Sequence, residues 1–308
     1  MCLICERKLS NIKKDLNCHL IETIPNIDEL HCFGCPRLET IPILTGLNEL
    51  SCYNCPLLKT IHIIPGLKYL RCSNCPLLKT IPIIPGLKNL NCSNCPLLKT
   101  IHIIPGLKYL NCTNCPLLKT IPIIPGLNEL RCYNCPLLET IPIISGLNEL
   151  RCYNCPRLET IPILPGLKVL DCYNCPLETI PIIPGLKTLN CSNCPLIETI
   201  PVLQGLKTLN CYNCPRIKTI PNMEGLKYLN CFKCPWLDIK NELYKNNISK
   251  LIYLQVLFKK HLLIKKILNI SKNIIPIWWD PKCKGGYMYK KEMLKEISEM
   301  NKLLNFNT

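Results

Sequence analysis

Eleven Cys-x-x-Cys pairs follow one another along the chain, and each pair has the spacing of a reactive or metal-binding motif. Two thiolates at this spacing can supply half of a tetrahedral zinc site, and a dithiol can also be oxidised to a disulfide. The first cysteines of the pairs are Cys32, Cys52, Cys72, Cys92, Cys112, Cys132, Cys152, Cys172, Cys191, Cys211 and Cys231. The chemistry of the pairs depends on where the fold places their sulfur atoms.

The cysteine pairs belong to a sequence repeat. Successive pairs are 20 residues apart, except that the step from Cys172 to Cys191 is 19 residues. The unit, numbered from position 1 to position 20, reads L-x-x-L-x-C-x-N-C-P-x-L-x-T-I-P-x-I-P-G, and a degenerate copy contains Asp15 and Cys18. The 19-residue copy lacks position 11, which is an arginine in three other copies. We therefore expect position 11 to be exposed.

The hydrophobic pattern of the unit predicts one strand per copy. Apolar positions 4 and 6 alternate with polar or aromatic positions 3, 5 and 7, which is the pattern of a strand that is buried on one side. The prolines that follow remove hydrogen-bond donors and fix φ, so the return path is expected to be extended or polyproline-like. Apolar residues at positions 1, 4, 6, 9, 12, 15 and 18 predict a narrow core that neighbouring copies must close.

This unit resembles the leucine-rich repeat pattern L-x-x-L-x-L-x-x-N/C-x-x-L. One copy fills the five core positions of that pattern with Leu67, Leu70, Cys72, Cys75 and Leu78. The I-P-I-I-P-G remainder resembles the short repeats of bacterial effector proteins, and the cysteine-rich version is most similar to proteins of amoeba-infecting giant DNA viruses. The resemblance implies a repeat solenoid with a parallel β-sheet on its concave side and an extended convex side.

The sequence indicates three regions. Residues 1–15 are expected to form an N-terminal cap, and residues 16–237 a solenoid of about 12 repeats of 20 residues. Residues 238–308 show helical spacing, which predicts a small C-terminal helical module that caps the last coil. Binding to a membrane surface or to a dedicated protein partner is the alternative role for this basic module.

The resemblance implies that both cysteines of a pair lie in the core, with the second one turned inward to satisfy backbone groups of the loop. A zinc array made from the pairs of adjacent coils is the alternative, but ions would replace close packing and would repeat charged clusters at low dielectric. Disulfides are rare in a reducing cytosol. Cys2, Cys5 and Cys18 could form a zinc site at the N-terminal cap or belong to a frayed repeat. We therefore predict no cofactor for the solenoid.

The side chains at positions 3, 5 and 7 are expected to point outward from the sheet, and they carry most of the variety between copies. Tyrosines at position 7 of three consecutive copies should stack in a row about 4.8 Å apart, beside arginines at position 5. Tyrosine and arginine are enriched at binding hot spots. The predicted site comprises Arg131, Tyr133, Arg151, Tyr153, Asp171, Tyr173 and Tyr212. The alternative is a solvated face in which Arg131 and Arg151 pair with Glu129 and Glu149.

Position 13 changes charge along the repeats. It is lysine at Lys59, Lys79, Lys99 and Lys119, and glutamate at Glu139, Glu159, Glu178 and Glu198. Such an edge could steer a charged partner. Recent duplication explains it equally well, because one 15-residue sequence occurs at both 56–70 and 96–110, including His62 and His102. These two histidines are therefore expected at an exposed position without a ligand role.

The sequence favours a non-enzymatic scaffold that binds a protein partner, with a zinc-binding cysteine array and a nucleic-acid or anionic-surface binder as alternatives. The net charge of +16 is divided between the repeats and the tail, and the mixed signs on the sheet argue against nucleic acid. No catalytic triad, phosphate loop or small-molecule site is evident. No segment reads as a signal peptide or a membrane span. We expect a cytoplasmic monomer, with a host protein as partner if the chain is viral.

Overall fold

The computed structural model describes residues 28–41, 43–221 and 223–234 of the chain. The predicted N-terminal cap and the predicted C-terminal module lie outside these residues, as do Cys2, Cys5 and Cys18. Within the described part, no helix has the length and apolar character needed to cross a membrane.

The described copies of the repeat wind into a coil in which one turn contains one copy. The strands are β1 (Glu29–His31), β2 (Thr40–Ile41), β3 (Glu49–Ser51), β4 (Thr60–Ile61), β5 (Tyr69–Arg71), β6 (Asn89–Asn91), β7 (Tyr109–Asn111), β8 (Glu129–Arg131), β9 (Glu149–Arg151), β10 (Val169–Asp171), β11 (Thr188–Asn190), β12 (Thr208–Asn210) and β13 (Tyr228–Asn230). Eleven of them form one sheet in the order β1-β3-β5-β6-β7-β8-β9-β10-β11-β12-β13, and β2 pairs with β4. The parallel-sheet solenoid predicted from the sequence is confirmed for this region.

Each strand of the main sheet pairs in parallel with its neighbours, and equivalent residues face one another. Leu130 in β8, for example, lies opposite Leu150 in β9, and Arg131 lies opposite Arg151. The predicted strand, which spans positions 3 to 7, was too long, because each strand of the main sheet contains three residues and ends before the first cysteine. The backbone turns at position 8, where asparagine adopts a positive φ. Hydrogen bonds between the two coils nevertheless continue past the strands. The Cys132 N–H donates to the Arg151 carbonyl at 2.9 Å, and the Asn134 N–H donates to the Tyr153 carbonyl at 3.0 Å.

The core consists of the seven apolar positions that the sequence predicted. In the coil that contains β8, all seven side chains are at most 4 % exposed: Leu127, Leu130, Cys132, Cys135, Leu138, Ile141 and Ile144. Fully burying one leucine or isoleucine side chain stabilises the fold by about 1.5–3 kcal/mol. Because each coil has only one layer of such residues, adjacent coils are needed to cover it.

The return side of each coil is extended and contains no helix within the described residues. A glycine at position 20 ends it, and its left-handed backbone, with φ of +87° in Gly146, is one that side chains rarely tolerate. Position 11 lies at the surface: Arg157 is exposed and Leu137 is half-buried. This agrees with the expectation that a coil can omit this residue.

Candidate interaction surface

A row of stacked tyrosines lies on the outward face of the sheet. The ring centroids of Tyr133 and Tyr153 are 4.1 Å apart with 11° between their planes, and those of Tyr153 and Tyr173 are 4.2 Å apart with 13°. The stacking follows from the strand register, which places position 7 of successive coils one strand spacing apart. Burial, and secondly a hydrogen bond in which its own O–H group faces Tyr133, raise the pKa of Tyr153. The Tyr153 phenol therefore remains protonated at neutral pH.

The arginines beside this row form ion pairs within their own strands. Arg131 Nε is 2.6 Å from Glu129 Oε1, and Arg151 Nε is 2.5 Å from Glu149 Oε1. This pairing is the one that the solvated-face alternative requires. The arginine side chains remain 34 % and 40 % exposed, so water weakens both pairs. Both guanidinium groups thus lie at the surface, each beside a carboxylate of its own strand.

Asp171 follows the two arginines at position 5 of the next coil. Its Oδ1 accepts a hydrogen bond from Asn190 Nδ2 at 2.9 Å. Burial raises the pKa of this carboxyl group, although the charge of Arg151 acts in the opposite direction. The face beside the tyrosines therefore carries both signs of charge.

Tyr212 does not join the row. The intervening coil has Ser192 at position 7, and this side chain is buried. Tyr212 instead stacks with Phe232, at a centroid distance of 6.0 Å. Another aromatic pair, which the site prediction did not include, joins Phe33 and Tyr53 at 4.5 Å near the start of the described residues. Aromatic residues at position 7 of consecutive copies are the sequence signal for such pairs.

An asparagine ladder, which the sequence reasoning missed, runs beside the tyrosines at position 8. Asn154 Nδ2 donates to Asn134 Oδ1 at 2.7 Å, and Asn174 Nδ2 donates to Asn154 Oδ1 at 2.8 Å. The backbone φ of these residues is about +55°, a conformation that asparagine adopts more readily than most residues. The ladder and the prolines at position 10 line a groove next to the tyrosine row. The recurrence of asparagine between the two cysteines was the available sequence signal.

The cysteines lie in the core, as the resemblance implied. The second cysteine of a pair donates its S–H group to the carbonyl of the first cysteine in the preceding coil, with Cys155 Sγ 3.4 Å from Cys132 O. Burial raises the pKa of Cys132 well above its usual range, that of Cys135 to about 11 and that of Cys155 to about 12. These three thiols are therefore protonated at neutral pH. All three fill space in the core, and Cys135 and Cys155 also donate to backbone carbonyls.

Zinc binding by cysteine requires thiolates, whereas burial favours the neutral thiol. Among the described residues, no group of three or more His, Cys, Asp or Glu side chains is arranged to hold a metal ion. His62 and His102 each place Nδ1 near a backbone carbonyl of the preceding coil, at 2.7 Å from Ile41 O and 3.2 Å from Ile81 O. Both histidines are exposed, as expected.

Residues 165–205 match the family model described as Leucine Rich repeats (2 copies). No curated protein matches the chain. The chain is also similar to a crystal structure of a leucine-rich repeat protein from Bacteroides ovatus, with 21 % identity over 65 % of this chain and 64 % of that one, and a TM-score of 0.49. It is also similar to YopM from Yersinia enterocolitica, with 20 % identity over 69 % of this chain and 61 % of that one, and a TM-score of 0.41. The chain spans less than two thirds of the length of either structure.

The family match supports a leucine-rich repeat protein. The matched segment contains the 19-residue copy and the copy that follows it, and the other described copies share their core positions and their strand. The likeness to proteins of giant viruses stays a prediction.

Proposed function

We propose that the chain is a non-enzymatic scaffold that binds a protein partner on the outward face of its main sheet. The proposed contact surface, called the tyrosine patch, consists of Tyr133, Tyr153 and Tyr173 with Arg131 and Arg151. The observation that carries the proposal is the stack of three half-buried tyrosine rings on a regular sheet. The repeat supports it at a coarser level, because leucine-rich repeat proteins are generally protein-interaction scaffolds.

The tyrosine patch suits protein binding because its side chains are already ordered. Stacking limits the rotation of the rings, and the ion pairs with Glu129 and Glu149 hold the arginines. Binding of a partner would therefore cost less side-chain conformational entropy of this chain than binding to a surface of mobile side chains. The phenol and guanidinium groups supply hydrogen-bond donors, and the rings supply apolar area.

The charge distribution favours a protein partner over nucleic acid. Glu129 and Glu149 lie on the same strands as Arg131 and Arg151, and Asp171 lies on the next strand, β10. Phosphate groups would therefore meet a carboxylate beside each guanidinium group. Nucleic-acid binding normally depends on a continuous positive surface that displaces counterions. A mixed-charge partner surface with its own hydrogen-bond acceptors fits these strands better.

We further propose that the partner is a cytosolic protein, which would be a host protein if the chain is viral. The proposal is supported by the many buried thiols, since the described cysteines from Cys52 to Cys234 form no disulfide. Unpaired cysteines in such number are typical of proteins that fold in a reducing compartment.

The proposal can be tested by capture from cytosolic extract with the full-length chain as bait. Proteins that bind through the tyrosine patch should be recovered by the wild type and by Tyr69→Ala, but not by the Tyr133→Ala/Arg151→Ala variant. Tyr69 is a matched control because it is exposed on β5 of the same sheet, outside the patch. Equal recovery of every partner by the double variant would contradict the proposal.

A further inference from the structure

Among the described residues, position 13 forms a row of ten charged side chains on the return side of the coils. In chain order the row contains Glu39, Lys59, Lys79, Lys99, Lys119, Glu139, Glu159, Glu178, Glu198 and Lys218, and all of them are exposed. The signs run minus, four plus, four minus, plus. When the row is read in reverse order, the sign at every position is opposite to the sign at the same position in forward order. This charge row is therefore complementary to its own reverse.

Within one chain the charge row is only partly neutralised. Lys59 pairs with Glu39 at 2.8 Å, and Lys218 pairs with Glu198. Among the described residues, Lys79, Lys99 and Lys119 form no ion pair. Each of them has a like charge on an adjacent coil, and neighbouring like charges on paired strands are destabilising.

Backbone hydrogen bonds between adjacent coils follow the order of the charges at position 13. Hydrogen bonds join position 13 of adjacent coils at the three steps where the sign changes, from Lys59 N to Glu39 O, from Glu139 N to Lys119 O and from Lys218 N to Glu198 O. The distances are 2.8, 3.2 and 3.1 Å. At the like-charged steps, no such bond occurs among the described residues. The repulsion inside each block is one that an oppositely charged partner could offset.

An exposed apolar row lies four residues further along each return segment, at position 17. It consists of Ile43, Ile63, Ile83, Ile103, Ile123, Ile143, Ile163, Ile182 and Val202. These side chains are between 46 % and 64 % exposed. Monomeric proteins rarely leave so long an apolar row open to water, and such rows commonly mark interaction sites.

We propose that the return side binds a second copy of this chain in antiparallel orientation, in a homodimer whose twofold axis passes between the coils of Lys119 and Glu139. Each row then faces its own counterpart in reverse order. The facing pairs across the axis are Lys119 with Glu139, Lys99 with Glu159, Lys79 with Glu178, Lys59 with Glu198, and Glu39 with Lys218. Each pair forms twice, and the apolar rows cover one another.

The charges determine this orientation. A parallel arrangement with the same coils facing would place like charges opposite one another at all ten positions, whereas the antiparallel arrangement pairs opposite charges at all ten. A single patch that meets itself across a twofold axis is the usual interface of a homodimer. The apolar row would supply most of the affinity, and the charge row would set direction and register. This proposal replaces the monomer expected from the sequence.

The proposal is independent of the proposed function, because the tyrosine patch lies on the main sheet and the two rows lie on the return side. Loss of partner capture and loss of dimerisation would therefore be separate results. Each copy in the dimer would keep its tyrosine patch accessible.

The test is sedimentation equilibrium of the full-length chain and of a charge-conserving variant. The variant carries four substitutions, Lys79→Glu, Lys119→Glu, Glu159→Lys and Glu198→Lys, and its net charge is the same as that of the wild type. In the proposed dimer, each of the eight central positions would then face a residue of like charge. The substitutions also reduce the number of like-charged neighbours within the chain, so folding should not suffer. We expect a dimer for the wild type and a dissociation constant raised at least about tenfold in the variant.

The matched control exchanges lysine and glutamate at all eight central positions. This octuple variant remains complementary to its own reverse, so it should dimerise like the wild type. Ile123→Asn/Ile143→Asn, which places amides next to the axis, should weaken the dimer in either charge background. The proposal is overturned if the wild type is monomeric at all concentrations, or if the charge-conserving and octuple variants dimerise equally. Circular dichroism of each variant verifies that it is folded.

Discussion

At the scale of single residues, the asparagine at position 8 has two roles. It turns the chain after each strand with a positive φ, and its side chain joins the ladder along the coils. Most other residues with a side chain pay about 1–2 kcal/mol for the left-handed conformation. A lost side-chain hydrogen bond typically costs a further ~0.5–1.5 kcal/mol.

Asn154 donates one ladder hydrogen bond to Asn134 and accepts one from Asn174. We therefore predict that Asn154→Ala lowers the free energy of unfolding by about 2–5 kcal/mol, the sum of the backbone cost and two lost hydrogen bonds. Asn154→Gly should lose only the ladder contribution, because glycine accepts the backbone conformation. Urea unfolding followed by circular dichroism measures both. Equal destabilisation by the two substitutions would show that the backbone conformation contributes nothing.

Cys132 and Cys135 differ in their hydrogen bonds, whereas at the equivalent first position of the preceding coil Cys112 Sγ does donate, to Arg131 O at 3.5 Å. Cys135 Sγ lies 3.3 Å from Cys112 O and 3.6 Å from Tyr133 O, whereas Cys132 is fully buried and its Sγ has no such acceptor among the described residues. A serine hydroxyl can use the carbonyls near Cys135 but would be unsatisfied at the place of Cys132. We predict that Cys132→Ser costs about 1–3 kcal/mol of stability and Cys135→Ser less than that. Denaturant unfolding compares them directly, and the reverse order would contradict the assignment.

At the scale of elements, the coil accepts a change of length at one position. Position 11 is missing from the copy that contains Cys172. In the preceding copy this position is Arg157, which is exposed. Deleting Arg157 recreates the natural Cys-Pro-Leu-Glu-Thr-Ile-Pro sequence. The ion pair that is lost, Arg157 to Glu139 at 3.4 Å, lies at the surface.

We predict that deletion of Arg157 changes the free energy of unfolding by no more than about 1 kcal/mol, the upper range for an exposed ion pair. Deletion of Thr160 is the control, because it shifts Ile161 out of the core, and a buried aliphatic side chain is worth about 2–5 kcal/mol when truncated. Thermal unfolding of the two deletion variants separates them. Similar losses would mean that position 11 is part of the packed structure.

Elements also show what the sequence could and could not predict. The burial of Cys132 and Leu138 was predictable because the strand period and the stacking of coils depend only on the apolar pattern. The length of the strands was not predictable from the apolar pattern, because asparagine at position 8 turns the backbone earlier than the apolar alternation suggests. The tyrosine stack followed from register alone, whereas the separation of Tyr212 depends on Ser192 in the coil between. The role of the predicted site residues in binding remains a prediction.

At the scale of the whole molecule, the buried thiols should make stability depend on pH. Burial raises the pKa of Cys95, Cys115 and Cys155 to about 12, whereas an unfolded cysteine ionises near pH 8.5. Below that pH both states are protonated and the stability is fully present. Above it the unfolded state loses protons first, so stability falls progressively up to the folded pKa.

We predict that each buried thiol with a raised pKa, such as Cys95, Cys115 and Cys155, lowers the free energy of unfolding by up to about 1.4 kcal/mol per pH unit above pH 8.5. Because many thiols act together, the chain should unfold sharply in mild alkali. Urea midpoints between neutral pH and pH 10, compared with those of Cys115→Ala/Cys155→Ala, test this. The variant should show a shallower slope, and a pH-independent wild type would contradict the prediction.

The nearly identical coils have a consequence for refolding. Any strand of the main sheet presents almost the same core leucine and hydrogen-bonding edge to any other, so a chain that collapses quickly can pair a strand with the wrong neighbour and loop out a whole coil. Such slipped forms would lose few contacts and would rearrange slowly. The copy that begins at Cys172, one residue shorter than the rest, marks one place in the series as different. Lengthening it to 20 residues would remove that landmark and should increase the population of slow-folding molecules.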